Sequence, residues 1–224
     1  MNITSSQIVW LFFQSGFGGD QLYYLLNNTG YFAYPYNNFS RVDKNGKRYI
    51  YDMFEFNFHF PPDHRRPGLL RWKASNWQEF KPIVEHYVSK HQDKLDVTKP
   101  IIIKGHCYLT EKEILQMAPD SRIIYMTTAL DPTIFLHIQK YKNEGLKDLQ
   151  SVDVNEIKDY NITVKKLAHM LPNAHAISAE DYFTNNEHMW QRLSEYLGLD
   201  VNTCSIEHQY YLEQNQHFFK DHAL

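Results

Sequence analysis

Residues Ile8 to Asn28, IVWLFFQSGFGGDQLYYLLNN, constrain this chain more than any other stretch. Ile8 to Phe13 is a short unbroken apolar run. Its length and bulky residues suit a strand covered on both faces, as in a parallel sheet. Gln14 to Asp20 follows at once, with glycines at 16, 18 and 19. Glycines this dense let the backbone turn sharply and expose successive N–H groups. Leu22, Leu25 and Leu26 then recur at helical spacing, with Tyr23 and Tyr24 beside them. A strand, a glycine turn and a helix start together make an anion site, because the N–H groups and the helix dipole point the same way. The spacing leaves two readings open: a phosphate-binding turn, or glycines needed only for close packing. The Gly-x-x-x-x-Gly-Lys-Ser/Thr pattern is absent, since no lysine precedes the helix, and so is Gly-x-Gly-x-x-Gly.

The rest of the chain repeats the theme of apolar strand and amphipathic helix. Pro100 to Lys104 is a second buried strand, ending in Gly105-His106-Cys107, and Arg122 to Thr127 is a third. Asn173 to Ser178 is a short fourth. Trp77, Phe80, Val84, Tyr87 and Val88 mark one helix, with Pro82 either near its first turn or kinking it. Thr110 and Glu113 form a capping-box pattern for a short helix ending before Pro119. Asp131-Pro132 starts another helix. Ile157, Tyr160, Val164, Leu167, Ala168 and Leu171 trace a further helical face. Trp190, Leu193, Tyr196 and Leu197 form the last clear helix, closed by Gly198. Their aromatic and leucine side chains read as core. The alternation predicts an α/β fold, a three-layer parallel sheet with helices on both faces. In such sheets ligands bind at the carboxyl ends of strands, where Gln14–Asp20, Gly105–His106 and Thr127–Asp131 all fall.

Between about 31 and 72 the chain is irregular and rich in aromatics. Asn45-Gly46 supplies the positive-φ pair of a tight hairpin across Val42 to Tyr49. Phe54, Phe56, Phe58 and Phe60 alternate as one face of a strand that Pro61-Pro62 ends. Arg65 and Arg66 follow in a loop, read either as solvated charge or as a clamp on an anionic substrate. With 224 residues and no linker, repeat or low-complexity tract, one domain over 1–224 is expected. A net charge of −3 argues against a general nucleic-acid binder. No apolar run reaches membrane-spanning length and no basic segment precedes a long apolar one, so a cytoplasmic protein is expected. Cys107 and Cys204 form neither a disulfide framework nor a metal-ligand cluster, so no metal is expected.

Four segments in order give the chain a family likeness. LFFQSGFGGDQLYYLL is placed like the 5′-phosphosulfate loop of sulfotransferases, Lys/Arg-Ser-Gly-Thr-Thr and a helix. IIIKGH resembles their strand ending in a histidine. APDSRIIYMTTALDPTIF resembles Pro-Asp-x-x-(Lys/Arg)-Ile-Ile followed by an Arg-Asp-Pro helix start. AISAEDYFTNNEHMWQRLSEYLGLD resembles their Glu-Asp-Leu strand end, helix and Leu-Gly-Leu stop. Together the segments span most of the chain, which thus resembles a divergent sulfotransferase with a fold like that of P-loop NTPases.

The resemblance implies transfer of a sulfuryl group from PAPS (3′-phosphoadenosine 5′-phosphosulfate) to a hydroxyl or amine of a small-molecule or glycan acceptor. It implies that Ser15, Gly16, Phe17, Gly18, Gly19, Asp20 and Thr128 hold PAPS or its product PAP. It makes His106 the base for the acceptor's proton, with Gln14 at the transferring group. Arg65 and Arg66, by their charge, are expected toward the substrate, as is Lys104 if it replaces the missing positive charge, although as a strand residue Lys104 can equally face away. An imidazole titrates where such a base is useful, although a histidine can also simply cap a strand end. Five positions depart from the pattern. Gln14 is neutral where the family has a cation, and Phe17 and Gly18 replace hydroxyl residues. Leu130 replaces the arginine before Asp-Pro, and Ile138 the serine that helps hold the 3′-phosphate. A second class therefore stands beside the enzyme: a sulfotransferase-fold protein that binds a nucleotide or other anion, or serves as an interaction module. A kinase-like P-loop protein is disfavoured by the missing lysine. Glu180 and Asp181 could form an acid pair, but the resemblance favours a structural role at a strand end.

Overall fold

The computed structural model describes residues 2–13, 17–33, 74–89, 92, 95–105, 114, 116–129, 158 and 173–214, and the backbone of 40–42 and 48–50. Strands β1 (Ile8–Phe12), β4 (Ile101–Gly105), β5 (Arg122–Thr127) and β6 (Ala174–Ser178) form one all-parallel sheet in the order β4-β1-β5-β6. Helices α1 (Gly19–Asn28), α2 (Trp77–Ser89), α3 (Ala179–Phe183), α4 (Glu187–Leu197) and α5 (Cys204–Gln214) flank it. The fold is therefore the α/β architecture that the alternation predicts. β2 (Ser40–Val42) and β3 (Arg48–Ile50) pair antiparallel, Val42 opposite Arg48, as the hairpin reading requires. The Asn45-Gly46 turn itself lies outside the described residues, as do the 54–60 strand, the Thr110–Glu113 cap, the Asp131-Pro132 helix start and most of the 157–171 face.

The continuous apolar run of β1 is buried along its whole length because both faces of the sheet are covered. Residues two apart share a face. Trp10 accordingly stacks on Phe12 (centroids 5.6 Å apart) and on Phe80 of α2 (5.3 Å), and Phe12 stacks on Tyr125 of β5 (5.5 Å). This aromatic layer fixes α2 to the sheet, each fully buried side chain contributing about 1.5–3 kcal/mol. The Trp10 indole N–H donates to the Ser121 hydroxyl (3.0 Å), which donates to the Ala118 carbonyl (2.6 Å), so neither polar group is stranded.

α2 is capped by Asn76, whose Oδ1 accepts the Glu79 N–H (3.0 Å), while the Glu79 carboxylate accepts the Ser75 N–H (2.7 Å). Pro82 sits inside this helix, on its exposed side, where the carbonyl it leaves without a partner can meet water. α4 starts at the Asn186 cap and stops at Gly198 with φ +65°, as predicted. α5 was not anticipated. It is fastened to α1 by the Cys204 thiol on the Leu25 carbonyl (3.3 Å) and by Glu207, which accepts from Tyr24 (3.3 Å) and Asn28. Among the described residues no helix is long and apolar enough to cross a membrane.

Candidate functional site

β1 carries the chain into the glycine turn, and its pairing with β4 decides what stands beside it. Leu11 pairs with Lys104 and Phe12 with Gly105. The Phe13 N–H then donates to the Gly105 carbonyl (3.1 Å), extending the contact one residue past the strand. On the other side Phe12 pairs with Tyr125 of β5. The carboxyl ends of β4, β1 and β5 thus lie side by side, where open parallel sheets bind ligands.

Gly18 is the N-cap of α1, with φ +83°, and its carbonyl accepts the Leu22 N–H (2.9 Å) to begin the helix. A Cβ on Gly18 would lie 2.5 Å from Cε1 of Tyr182; one on Gly19 would lie 2.0–2.4 Å from three ring atoms of Phe13. Phe17 is fully buried, so its side chain belongs to the core and only its backbone can serve a ligand. Close packing alone thus accounts for Gly18 and Gly19. Gly18, the N-cap, has no side chain to cap the start of α1.

Lys104 brings a cation to this helix start. It is 1% exposed, and its ammonium donates to the carboxylate of Asp20 in the first turn of α1. The same ammonium stands 5.4 Å over the Tyr23 ring. Lys104 therefore faces the turn. A buried ammonium is tolerated only with such compensation. The structure brings Lys104, Gly18, Gly19 and Asp20 together. It places Thr128 fully buried just past β5, with its hydroxyl on the Glu180 carboxylate. Glu180 also accepts the Ala129 N–H (2.7 Å) and the Ser178 hydroxyl (2.6 Å), tying the end of β5 to the start of α3. That is a strand-end structural role. Gln14, Ser15, Gly16, Arg65, Arg66 and His106 lie outside the described residues, as do Leu130 and Ile138; His106 follows Gly105 directly in the chain.

Tyr182, which no local sequence pattern singles out, backs the turn at Gly18, and His208 packs on it in turn. Burial first, then the neighbouring Tyr211, Cys204 and Asp20, push the Tyr182 phenol well above its ordinary range. His208 stacks on Tyr182 with centroids 4.1 Å apart, and burial pushes its imidazole down to about 3. Its Nδ1 lies 3.2 Å from Asn185 Oδ1, which also accepts the Trp190 indole N–H (2.8 Å). An amide oxygen only accepts, so the neutral His208 ring carries its proton on Nδ1. The Tyr182 hydroxyl and His208 Nε2 are buried without a partner among the described residues. Nothing local in the sequence signals this cluster, because it exists only once α3 and α5 meet behind Gly18. Among the described residues no group of three His, Cys, Asp or Glu side chains could hold a metal ion.

No protein-family model matches the chain, and comparison with curated proteins gives no match. Solved structures give distant likenesses. Retinol dehydratase in complex with androsterone and inactive cofactor PAP is 14% identical, with 99% of this chain and 68% of that chain covered and a TM-score of 0.46. The sulfotransferase domain from the curacin biosynthetic pathway is 13% identical, with 87% and 74% covered and a TM-score of 0.42. A complex of retinol dehydratase with retinol and PAP is 15% identical, with 99% and 68% covered and a TM-score of 0.44.

Proposed function

We propose that this chain is a sulfotransferase that moves a sulfuryl group from PAPS to a hydroxyl or amine of a small molecule or glycan. The observation that carries this reading is Lys104: a buried cation, two residues before His106, aimed at the start of α1 beside the glycine turn. A cation next to a helix N-terminus is the donor chemistry that a phosphosulfate needs, so the residues fit the group. Backbone N–H groups from Ser15 to Gly19 would hold it, with Lys104 supplying charge. When bound, PAPS supplies the sulfuryl group, which leaves a phosphate oxygen for the acceptor atom. His106 takes the acceptor's proton at an imidazole nitrogen. Lys104 and the first turn of α1 hold the negative charge that develops. The rings of Phe13 and Tyr182 pack against Gly19 and Gly18, and such low-dielectric packing strengthens those charge interactions.

A second reading, anion binding without transfer, is favoured by the Asp20 carboxylate already on Lys104 and by the neutral Gln14. Incubation with sulfur-labelled PAPS and a panel of hydroxyl and amine acceptors separates the two. Transfer by the wild type that is lost in His106→Ala supports the enzyme. PAP binding in a calorimeter, with no transfer to any acceptor, leaves the binding protein. Absence of PAP binding sinks both.

A further inference from the structure

Lys104 and Asp20 are unequally placed. Lys104 is 1% exposed, whereas the Asp20 side chain is 54% exposed. The ammonium therefore lies beneath and the carboxylate lies on the solvent side. Asp20 is also in the first turn of α1, where negative charge is favoured by the helix dipole. One carboxylate thus takes both positive features of the corner, the buried cation and the helix start.

We infer that Asp20 is a built-in competitor for the anion site, a specificity-determining residue that a phosphate- or sulfate-bearing ligand must displace from Lys104. This rests on the reading of the turn as an anion site. Its half-exposed side chain lets Asp20 swing into water without disturbing the backbone of α1. The Lys104 backbone stays in place, because β4 is paired to β1 along its whole length. Without a ligand, Asp20 gives the buried ammonium a charged partner, and removing one partner of such a buried pair is destabilising. With a ligand, the incoming anion assumes that duty. The pair therefore sets a threshold: a ligand with one weak negative charge gains little over Asp20, while a phosphosulfate or a dianionic phosphate gains much.

The test is thermal unfolding of wild type, Asp20→Asn and Asp20→Asn/Lys104→Met in rising sodium sulfate, with chloride added to hold ionic strength constant. The isosteric Asn keeps the helix start intact. Asp20→Asn is expected to unfold at lower temperature without sulfate and to recover with it. Its midpoint sulfate concentration should be about tenfold or more below that of the wild type, since a charge-assisted competitor has been removed. The double variant should lose this response, which separates a site from general salting-out by sulfate. Calorimetric titration of inorganic sulfate into the same proteins gives a second readout if a variant folds poorly. A sulfate response equal in wild type and Asp20→Asn, or one that persists without Lys104, overturns the inference. A sulfate gain in Asp20→Asn together with no transfer from PAPS by the wild type would sink the enzyme reading and leave the competitor standing.

Discussion

The ring of Tyr182 occupies the place where a side chain on Gly18 would stand. A Cβ there would lie 2.5 Å from Cε1 and 3.0 Å from Cδ1 of that ring. The glycine turn is thus shaped from behind by α3, an element more than 160 residues later in the chain. At Gly18 the room for a side chain is set by aromatic packing.

Alanine at Gly18 should therefore be costly for two independent reasons. Its φ of +83° strains any L side chain, at about 1–2 kcal/mol, and the clash with Tyr182 adds about 1–3 kcal/mol of overpacking. Denaturant unfolding should show a loss of about 2–5 kcal/mol for Gly18→Ala. Gly19 has no such backbone strain but meets Phe13 more closely. Pairing Gly19→Ala with Phe13→Ala should recover part of what Gly19→Ala loses. A double variant no more stable than the sum of its parts would show that the ring is not the obstacle.

His208 gives the fold a predictable acid weakness. Its imidazole is held neutral down to about pH 3 in the folded protein by burial, against about 6.5 in an unfolded chain. Between those values the unfolded chain binds a proton that the folded one refuses, so stability falls as pH drops from about 6.5 toward 3. At full difference the slope is about 1.4 kcal/mol per pH unit. Above pH 6.5 both states are neutral and His208 contributes no pH dependence. His208→Gln removes the group, so its stability curve from pH 7 to 4 should be flatter than that of the wild type by up to one proton. Parallel curves would show that His208 is protonated in the folded state.

The sequence made the sheet readable because its strands are buried on both faces. Ile8–Phe12, Ile101–Ile103 and Ile123–Met126 are apolar without alternation, and that pattern marks a parallel core strand. α4 was readable for a different reason, its one-sided apolar spacing and its glycine stop. α5 hid because its pattern is inverted. Its inward positions are Cys204, His208 and Leu212, while Ile206 and Tyr210 face solvent, so no apolar stripe announces it. At the site, the glycines and Lys104 stood out by type, but their partners did not. That Asp20 would hold Lys104 depends on a strand register linking positions 84 residues apart, and no local pattern encodes it. The aromatics behind Gly18 and Gly19 were equally silent, since a tyrosine after Glu180-Asp181 looks like any core residue until the fold delivers it to the turn.

Gln14 offers the sharpest test of the chemistry. It stands where the resemblance places a cation, and it leaves Lys104 as the cation at the turn among the described residues. Gln14→Lys should raise the rate of sulfuryl transfer, since a preorganised donor at developing charge is commonly worth about 2.7–4 kcal/mol, or about a hundredfold or more. The gain should appear in kcat rather than in KM, because the charge it meets grows on the way to the transition state. If His106 is the base, as proposed, His106→Ala in the same protein should abolish most of it, because the base would act in the same step. The measurement is initial rates with labelled PAPS for wild type, Gln14→Lys and Gln14→Lys/His106→Ala. Tighter binding of PAP by Gln14→Lys without any transfer would place the protein among anion binders. A fall in an activity the wild type already has would mean that the Gln14 amide serves a donor other than PAPS, and that the family's chemistry does not carry over to this turn.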